Sequence, residues 1–285
     1  MNTGEMRPIV YRVGAVAYKA QVVTIWEAFR TWFRERGFHL EYLLFSTYDE
    51  QVRALQAGWI DAAWNTNLAY VATLKATAGR CHPIAMRDTD RNWTSHLVVP
   101  VDSPAAMVGL EAMRGRRVGF GDSDSPQAWI LPAFAMRRAG FDPLSDIRGE
   151  CLDRDVGKHG DTGGAEFAQL ERLRAGELDG CVVSDPTWMA VREAGADSGL
   201  AIAWTSPPFH HCNFTVLDGS SGDHDGFVRL LQTMDEDDPQ IRDPMRLEYV
   251  HRWVGPDTTG YADLVEAVRE MSAAHRSVTQ PAATA

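Results

Sequence analysis

Gly119-Phe120-Gly121-Asp122-Ser123-Asp124-Ser125-Pro126-Gln127-Ala128-Trp129 is the stretch on which the reading of this chain turns. Arg117-Val118-Gly119-Phe120, just upstream and overlapping it, reads as the end of a buried strand. Asp122, Ser123 and Ser125 are short polar residues that favour helix N-caps. Pro126 suits a first helical position, and residues 128–138 continue at helical spacing. A strand that turns through small polar residues into a helix presents free backbone N–H groups and a positive dipole end. Phosphate, phosphonate and carboxylate groups bind such ends. The same residues also make an ordinary capped strand-to-helix turn, so the neighbouring segments decide how to read it.

Those neighbours repeat the pattern. Upstream, a strand at 9–16 precedes a helix at 21–36 whose Trp26, Phe29, Trp32 and Phe33 form an aromatic core face. A strand at Leu40–Phe45 leads through Ser46-Thr47-Tyr48 into a helix at 50–57. A short strand at 60–64 leads through Asn65-Thr66-Asn67 into a helix at 68–76. After a strand at 95–101, a second series follows: strands at Arg117–Phe120, 148–152 and 178–184 with helices at 127–139 and 165–174. A strand at Asn213–Leu217 and helices at 226–232, 239–245 and 261–272 close the chain. Alternating strands and helices predict an α/β fold with parallel strands. Crossings near Pro100 and Pro207 predict two lobes, residues 1–99 plus 206–285 and residues 100–205. In such folds ligands bind beyond the carboxyl ends of the strands, here in an interlobe cleft.

Composition narrows the function. The chain has 285 residues, 45% of them hydrophobic, which is globular, and a formal net charge of −11, which argues against a nucleic-acid surface. Eighteen apolar residues never run together, so no membrane span is expected. The N-terminal residues lack the basic, apolar and small-residue regions of an export signal, and Cys81, Cys151, Cys181 and Cys212 form no Cys-x-x-Cys pair. Both readings point to a cytoplasmic protein with free thiols. The last ten residues read as a frayed tail.

Several motifs in order resemble the phosphonate-binding proteins of ABC transporters, within the type 2 periplasmic-binding fold. They are Tyr48-Asp49, Gly58-Trp59-Ile60-Asp61-Ala62-Ala63-Trp64 and Leu68-Ala69-Tyr70-Val71, then Asp102-Ser103 and the Leu110 to Phe120 stretch that leads into the opening motif. Gly157-Lys158-His159 and Gly176-Glu177-Leu178-Asp179-Gly180 follow. The resemblance covers roughly residues 9–217. It implies a two-lobed fold, ligand contacts from the loops at Ser46, Thr47, Tyr48 and at Asn65, Thr66, Asn67, and a pocket histidine at His159. One departure is that the family's turn usually carries Thr-Ser followed by Gly, whereas this chain has Ser125-Pro126-Gln127. Pro126 removes a backbone donor, so the ligand is expected to have changed.

The predicted function is binding of a small anionic or zwitterionic metabolite. The ligand-contacting residues would be Ser46, Thr47, Tyr48, Asn65, Thr66, Asn67, Ser123, Ser125, Gln127, His159, Asp185, His210 and His211. The alternative is a cytoplasmic biosynthetic enzyme on the same scaffold, with His159, Lys158 and Cys212 supplying proton transfer or a nucleophile together with His210 and His211. His210 and Cys212, one residue apart on one face, are the weak metal candidates. Asp88, Asp90, Arg91 and His96 frame a connection read as a salt-bridged surface loop, in which Arg87 or Arg91 can take a carboxylate bidentately. The cofactor is left open, with none as one possibility. The expected partner is a small molecule, with no nucleic acid and no membrane insertion, and a homo-oligomer is left open.

Overall fold

The computed structural model describes residues 10–279. Its elements are β1 (Tyr11–Val16), α1 (Gln21–Glu35), β2 (Leu40–Phe45), α2 (Tyr48–Gln56), β3 (Ala62–Asn65), α3 (Asn67–Ala76), β4 (Cys81–Arg87), β5 (Ser95–Pro100), α4 (Ala105–Val108), β6 (Arg117–Phe120), α5 (Leu131–Arg138), β7 (Arg148–Cys151), α6 (Gly164–Arg174), β8 (Gly180–Ser184), α7 (Asp185–Glu193), β9 (Leu200–Thr205), β10 (Asn213–Leu217), α8 (His224–Leu231), α9 (Arg242–Leu247), β11 (Trp253–Val254) and α10 (Ala262–Thr279). Residue 9 of the first expected strand and the end of the expected frayed tail lie outside the described residues.

The strands form two sheets, ordered β11-β4-β10-β3-β1-β2 and β7-β6-β8-β5-β9. The chain divides into two compact units, residues 1–91 with 211–257 and residues 92–210 with 258–285. This corrects the boundaries expected at 99/100 and 205/206. β5 pairs antiparallel with β8 and β9, Ser95 opposite Ser184 and His96 opposite Thr205, so it belongs to the second sheet. The C-terminal helix α10 also belongs to the second unit, where Glu266 meets Arg138 of α5 at 3.3 Å.

In the first unit, α1 places Trp26, Phe29, Trp32 and Phe33 on one face at helical spacing, all buried with Tyr11, Phe214 and Phe227. Each such side chain contributes about 1.5–3 kcal/mol by leaving water. The aromatic face is therefore core, as expected. β4 was not anticipated. Cys81-His82-Pro83-Ile84-Ala85-Met86-Arg87 does not alternate, and Pro83 argues against a central strand. The strand accommodates Pro83 opposite Thr215, next to a register shift between Phe214 and Thr215.

Candidate functional site

β1, β2 and β3 are parallel, with Tyr11 opposite Leu40 and Val13 opposite Ala62. Their carboxyl ends therefore share one edge of the first unit's sheet. After β2, Ser46 is exposed and its backbone N–H donates to Glu50 Oε2 at 3.1 Å. Thr47 caps α2 by accepting from the Glu50 N–H at 3.3 Å, and Tyr48 is buried. After β3, Asn65, Thr66 and Asn67 are all completely buried. Thr66 caps α3 by accepting from the Ala69 N–H at 3.1 Å, and Asn67 Oδ1 accepts from the Leu68 N–H at 2.8 Å. Asn65 Oδ1 accepts from Gln51 Nε2 at 2.8 Å. The two motifs thus set the N-termini of α2 and α3 at one edge, and Asn65 is tied into the interior behind them.

The second unit repeats the plan. β6 is parallel to β7 and to β8, with Arg117 opposite Arg148 and Val118 opposite Gly180. The turn after β6 does cap a helix: Ser125 accepts from the Ala128 N–H at 3.1 Å. The helix begins as a wide π turn over Pro126–Ile130, because the Ser125 carbonyl takes the N–H groups of both Trp129 (3.1 Å) and Ile130 (3.0 Å). Ser125→Ala is expected to cost about 1 kcal/mol through the lost cap. An unchanged denaturation midpoint would show that the cap carries no load.

The turn is not an open anion cradle. Asp122 Oδ1 accepts from the backbone N–H groups of Arg154 (2.6 Å) and Asp155 (2.9 Å), and the Asp124 carboxylate accepts from the Gly157 N–H. Ser123, expected to face a ligand, is exposed and its N–H goes to Asp153 Oδ1 at 2.7 Å. The chain thus supplies its own carboxylates to these backbone donors. Burial pushes the Asp124 carboxyl up, against the pull of the Gly157 N–H. Gln127 and His159 do come together, since Gln127 Nε2 donates to the His159 carbonyl at 3.2 Å. His159 is buried and holds φ at 53°, an uncommon conformation for a residue with a side chain. Lys158 precedes it, its N–H on the Asp155 carbonyl at 3.0 Å. Asp185 turns inward: Thr94 donates to it from both its N–H and its hydroxyl, and His96 Nε2 lies 2.8 Å from Oδ1. Burial works against ionisation of Asp185, but His96 and Thr94 prevail and hold its carboxyl below the usual range.

Glu166, which the sequence did not single out, lies at the same edge. It is buried and its Oε2 accepts from the Ser184 N–H and hydroxyl, both at 2.8 Å. Burial raises its carboxyl pKa despite those donors. A raised carboxyl pKa gives stability that is full below the ordinary Glu value and is lost as pH rises through the folded value. Glu166→Gln removes that dependence. Its midpoint relative to the unsubstituted protein is expected to rise between pH 4 and pH 7, and a difference independent of pH would contradict this reading.

His210, His211 and Cys212 part company. His210 belongs to the second unit, where its Nδ1 lies 3.3 Å from the Asn92 N–H and its ring meets Tyr261 edge-on. In the first unit His211 Nδ1 lies 3.0 Å from Cys212 Sγ and 3.6 Å from Asp90 Oδ1. The expectation that alternate residues share a face holds within a strand, whereas His210, His211 and Cys212 precede β10, which begins at Asn213 as expected. The metal candidates His210 and Cys212 are therefore replaced by His211, Cys212 and Asp90. Part of the supposed surface loop is interior: Arg87 and Asp90 are 7% and 0% exposed, while Arg91 is exposed. Arg87 grips Asp90 bidentately, Nε to Oδ2 and Nη2 to Oδ1 each at 2.7 Å. Nη1 donates to the Glu248 carbonyl at 2.6 Å. Burial alone raises the Asp90 carboxyl, but Arg87 overrides it and holds it at about 2. Ile84-Ala85-Met86, running apolar into Arg87, was the available sign of burial.

Two α/β units, each with parallel strands ending at a loop-bearing edge, define the two-lobed periplasmic-binding-protein class. The family model described as "ABC transporter, phosphonate, periplasmic substrate-binding protein" matches residues 14–261, and the chain belongs to that family. PhnD1 of Prochlorococcus marinus, in complex with methylphosphonate, is similar at 17% identity over 93% of this chain and 99% of that one, with a TM-score of 0.70. A Xanthomonas citri protein bound to ATP gives 17% identity, 93% and 98% coverage and a TM-score of 0.70. The aliphatic sulphonate-binding protein SsuA of Escherichia coli gives 14%, 96%, 90% and 0.60. These likenesses are of fold. A search of curated proteins found no match. Among the described residues, no helix is long and apolar enough to cross a membrane.

Proposed function

We infer that this chain binds one small oxyanion, of phosphonate, sulfonate, phosphate or carboxylate type, and releases it unchanged. The observation that carries this reading is the family match over residues 14–261. The helix starts capped by Thr47 and Thr66, gathered at one sheet edge of the first unit, suit the anionic group. The formal net charge of −11 favours a ligand that also carries a hydrogen-bond donor or an ammonium group over a purely anionic one. An aminoalkyl oxyanion is therefore expected to bind more tightly than the alkyl oxyanion of equal length. Calorimetric titration of both checks this, and equal affinity would remove the zwitterionic part of the reading.

The enzyme alternative gains no support from the geometry around Cys212. A relay from nucleophile to base to orienting acid needs the two ring nitrogens of the histidine on opposite partners. His211 presents the same Nδ1 to Cys212 and to Asp90. Lys158 and His159 belong to the other unit. Cytoplasmic residence remains part of the proposal and is supported by four free cysteines, three of them buried. Fractionation of cells carrying the full gene tests it: recovery with a cytosolic marker supports it, and recovery in the osmotic-shock fluid overturns it.

A further inference from the structure

Asp90, His211 and Cys212 stand at two of the points where the chain passes from one unit to the other. Asp90 is the next-to-last residue before the passage at Arg91–Asn92, and His211 is the first residue after the return from His210. Asp90 already ties these stretches together within the first unit. Its carbonyl accepts from the His211 N–H at 2.9 Å, and its Oδ1 accepts from the Cys212 N–H at 3.1 Å. The donor atoms of the three side chains all lie within 4.8 Å of one another, and all three residues are buried.

We propose that Asp90, His211 and Cys212 bind one borderline divalent cation of the Zn2+ type. One thiolate, one imidazole and one carboxylate make a donor set that suits Zn2+ or Co2+ and not Mg2+ or Ca2+. Tetrahedral coordination at ordinary Zn–S, Zn–N and Zn–O lengths separates ligand atoms by about 3.4–3.6 Å. His211 Nδ1 and Asp90 Oδ1 are already 3.6 Å apart, and Cys212 Sγ, at 3.0 Å from Nδ1, has to open by only about half an ångström. Arg87 keeps its Nε on Asp90 Oδ2 at 2.7 Å, the kind of outer contact that orients a ligating carboxylate, while its Nη2, 2.7 Å from Oδ1, gives that oxygen up to the cation. Binding displaces one proton, that of the Cys212 thiol, and takes His211 as the neutral imidazole. The bound cation fastens the outgoing and returning stretches of chain to each other.

The test adds Zn2+ or Co2+ to the reduced, metal-free full chain. The expected result is uptake of one equivalent, a near-ultraviolet thiolate-to-Co2+ charge-transfer band and a raised melting temperature. Cys212→Ser abolishes the band. His211→Gln weakens Zn2+ binding by more than the about 10–100-fold that losing an outer partner costs. Cys181→Ser, at a buried thiol of the other unit, changes neither. If Cys212→Ser does not fold, X-ray absorption of the Co2+-loaded unsubstituted chain reads the ligands directly, with one sulfur expected. No stoichiometric uptake, a band that persists in Cys212→Ser, or a cobalt with no sulfur ligand overturns the proposal.

Discussion

Arg87→Met is expected to destabilise the protein by about 3–5 kcal/mol, the largest loss of any single substitution considered for this chain. The residue is not a surface cation. It lies 5.3 Å over the Trp64 ring, grips Asp90 with two nitrogens and reaches the Glu248 carbonyl with a third. Trp64 Nε1 in turn donates to Glu248 Oε1 at 3.0 Å. Methionine fills similar space but leaves a completely buried carboxylate without its cation. The penalty is therefore that of the stranded Asp90 charge, and Arg87→Met with Asp90→Asn is expected to recover part of it. The pH response has a definite sign. With Arg87 present, the Asp90 carboxyl is held at about 2, so its contribution is full above the ordinary Asp value and is lost as pH falls through about 2. Without Arg87 that acid-side loss disappears. Urea midpoints across pH measure both effects, and a loss below 1 kcal/mol would show that Asp90 finds another partner.

Gly160→Ala is expected to cost about 2–4 kcal/mol, combining left-handed backbone strain with overpacking. Gly160 holds φ at +79°, and a Cβ there would collide with the Ser125 hydroxyl and come within 2.7 Å of Gln127 Nε2. The loop that carries Lys158 and His159 thus lies flush against the helix start after β6, and glycine permits that approach. Because the Ser125 hydroxyl is the nearest of the three atoms in the way, ahead of Gln127 Nε2 and Ser125 Cβ, Ser125→Ala is expected to relieve part of the collision. The double variant should lose less than the sum of the single losses, a coupling that strain alone does not produce. Strict additivity would show that the loop simply moves away.

The fold was legible where period and punctuation agreed. β2, β6 and β10 begin and end where the alternation and flanking turns placed them, and the aromatic face of α1 is core as its spacing required. β4 was hidden by Pro83, whose cost depends on a local register shift with β10 that no local pattern announces. The unit boundary moved because β5 reads equally well as the last strand of one sheet or the first of another, and only its pairing with β8 decides.

The strand-to-helix turns were legible in the sequence as turns, but their hydrogen bonds were not. Ser125, Thr47 and Thr66 are caps, as their residue types suggest. That Asp122 and Asp124 occupy donors of the loop some thirty residues on is a tertiary fact. So is the burial of Arg87 and Asp90, since a five-residue run with four charges reads as surface until its neighbours are known. The pairing of His211 with Cys212 and Asp90 rests on the path of the chain before β10, which no strand periodicity describes.

The central claim is that this member of the phosphonate-binding family holds a small oxyanion without transforming it. Calorimetric titration of the full chain with methylphosphonate, an aminoalkylphosphonate and an alkanesulfonate, with phosphorus NMR of the phosphonates before and after incubation, tests it most directly. The expected result is saturable one-to-one binding of at least one oxyanion, stabilisation of the fold by about 2.7 kcal/mol at a hundredfold excess over Kd, and an unchanged phosphorus spectrum. Absence of saturable binding across the panel, or a new phosphorus signal that depends on the protein, would contradict it.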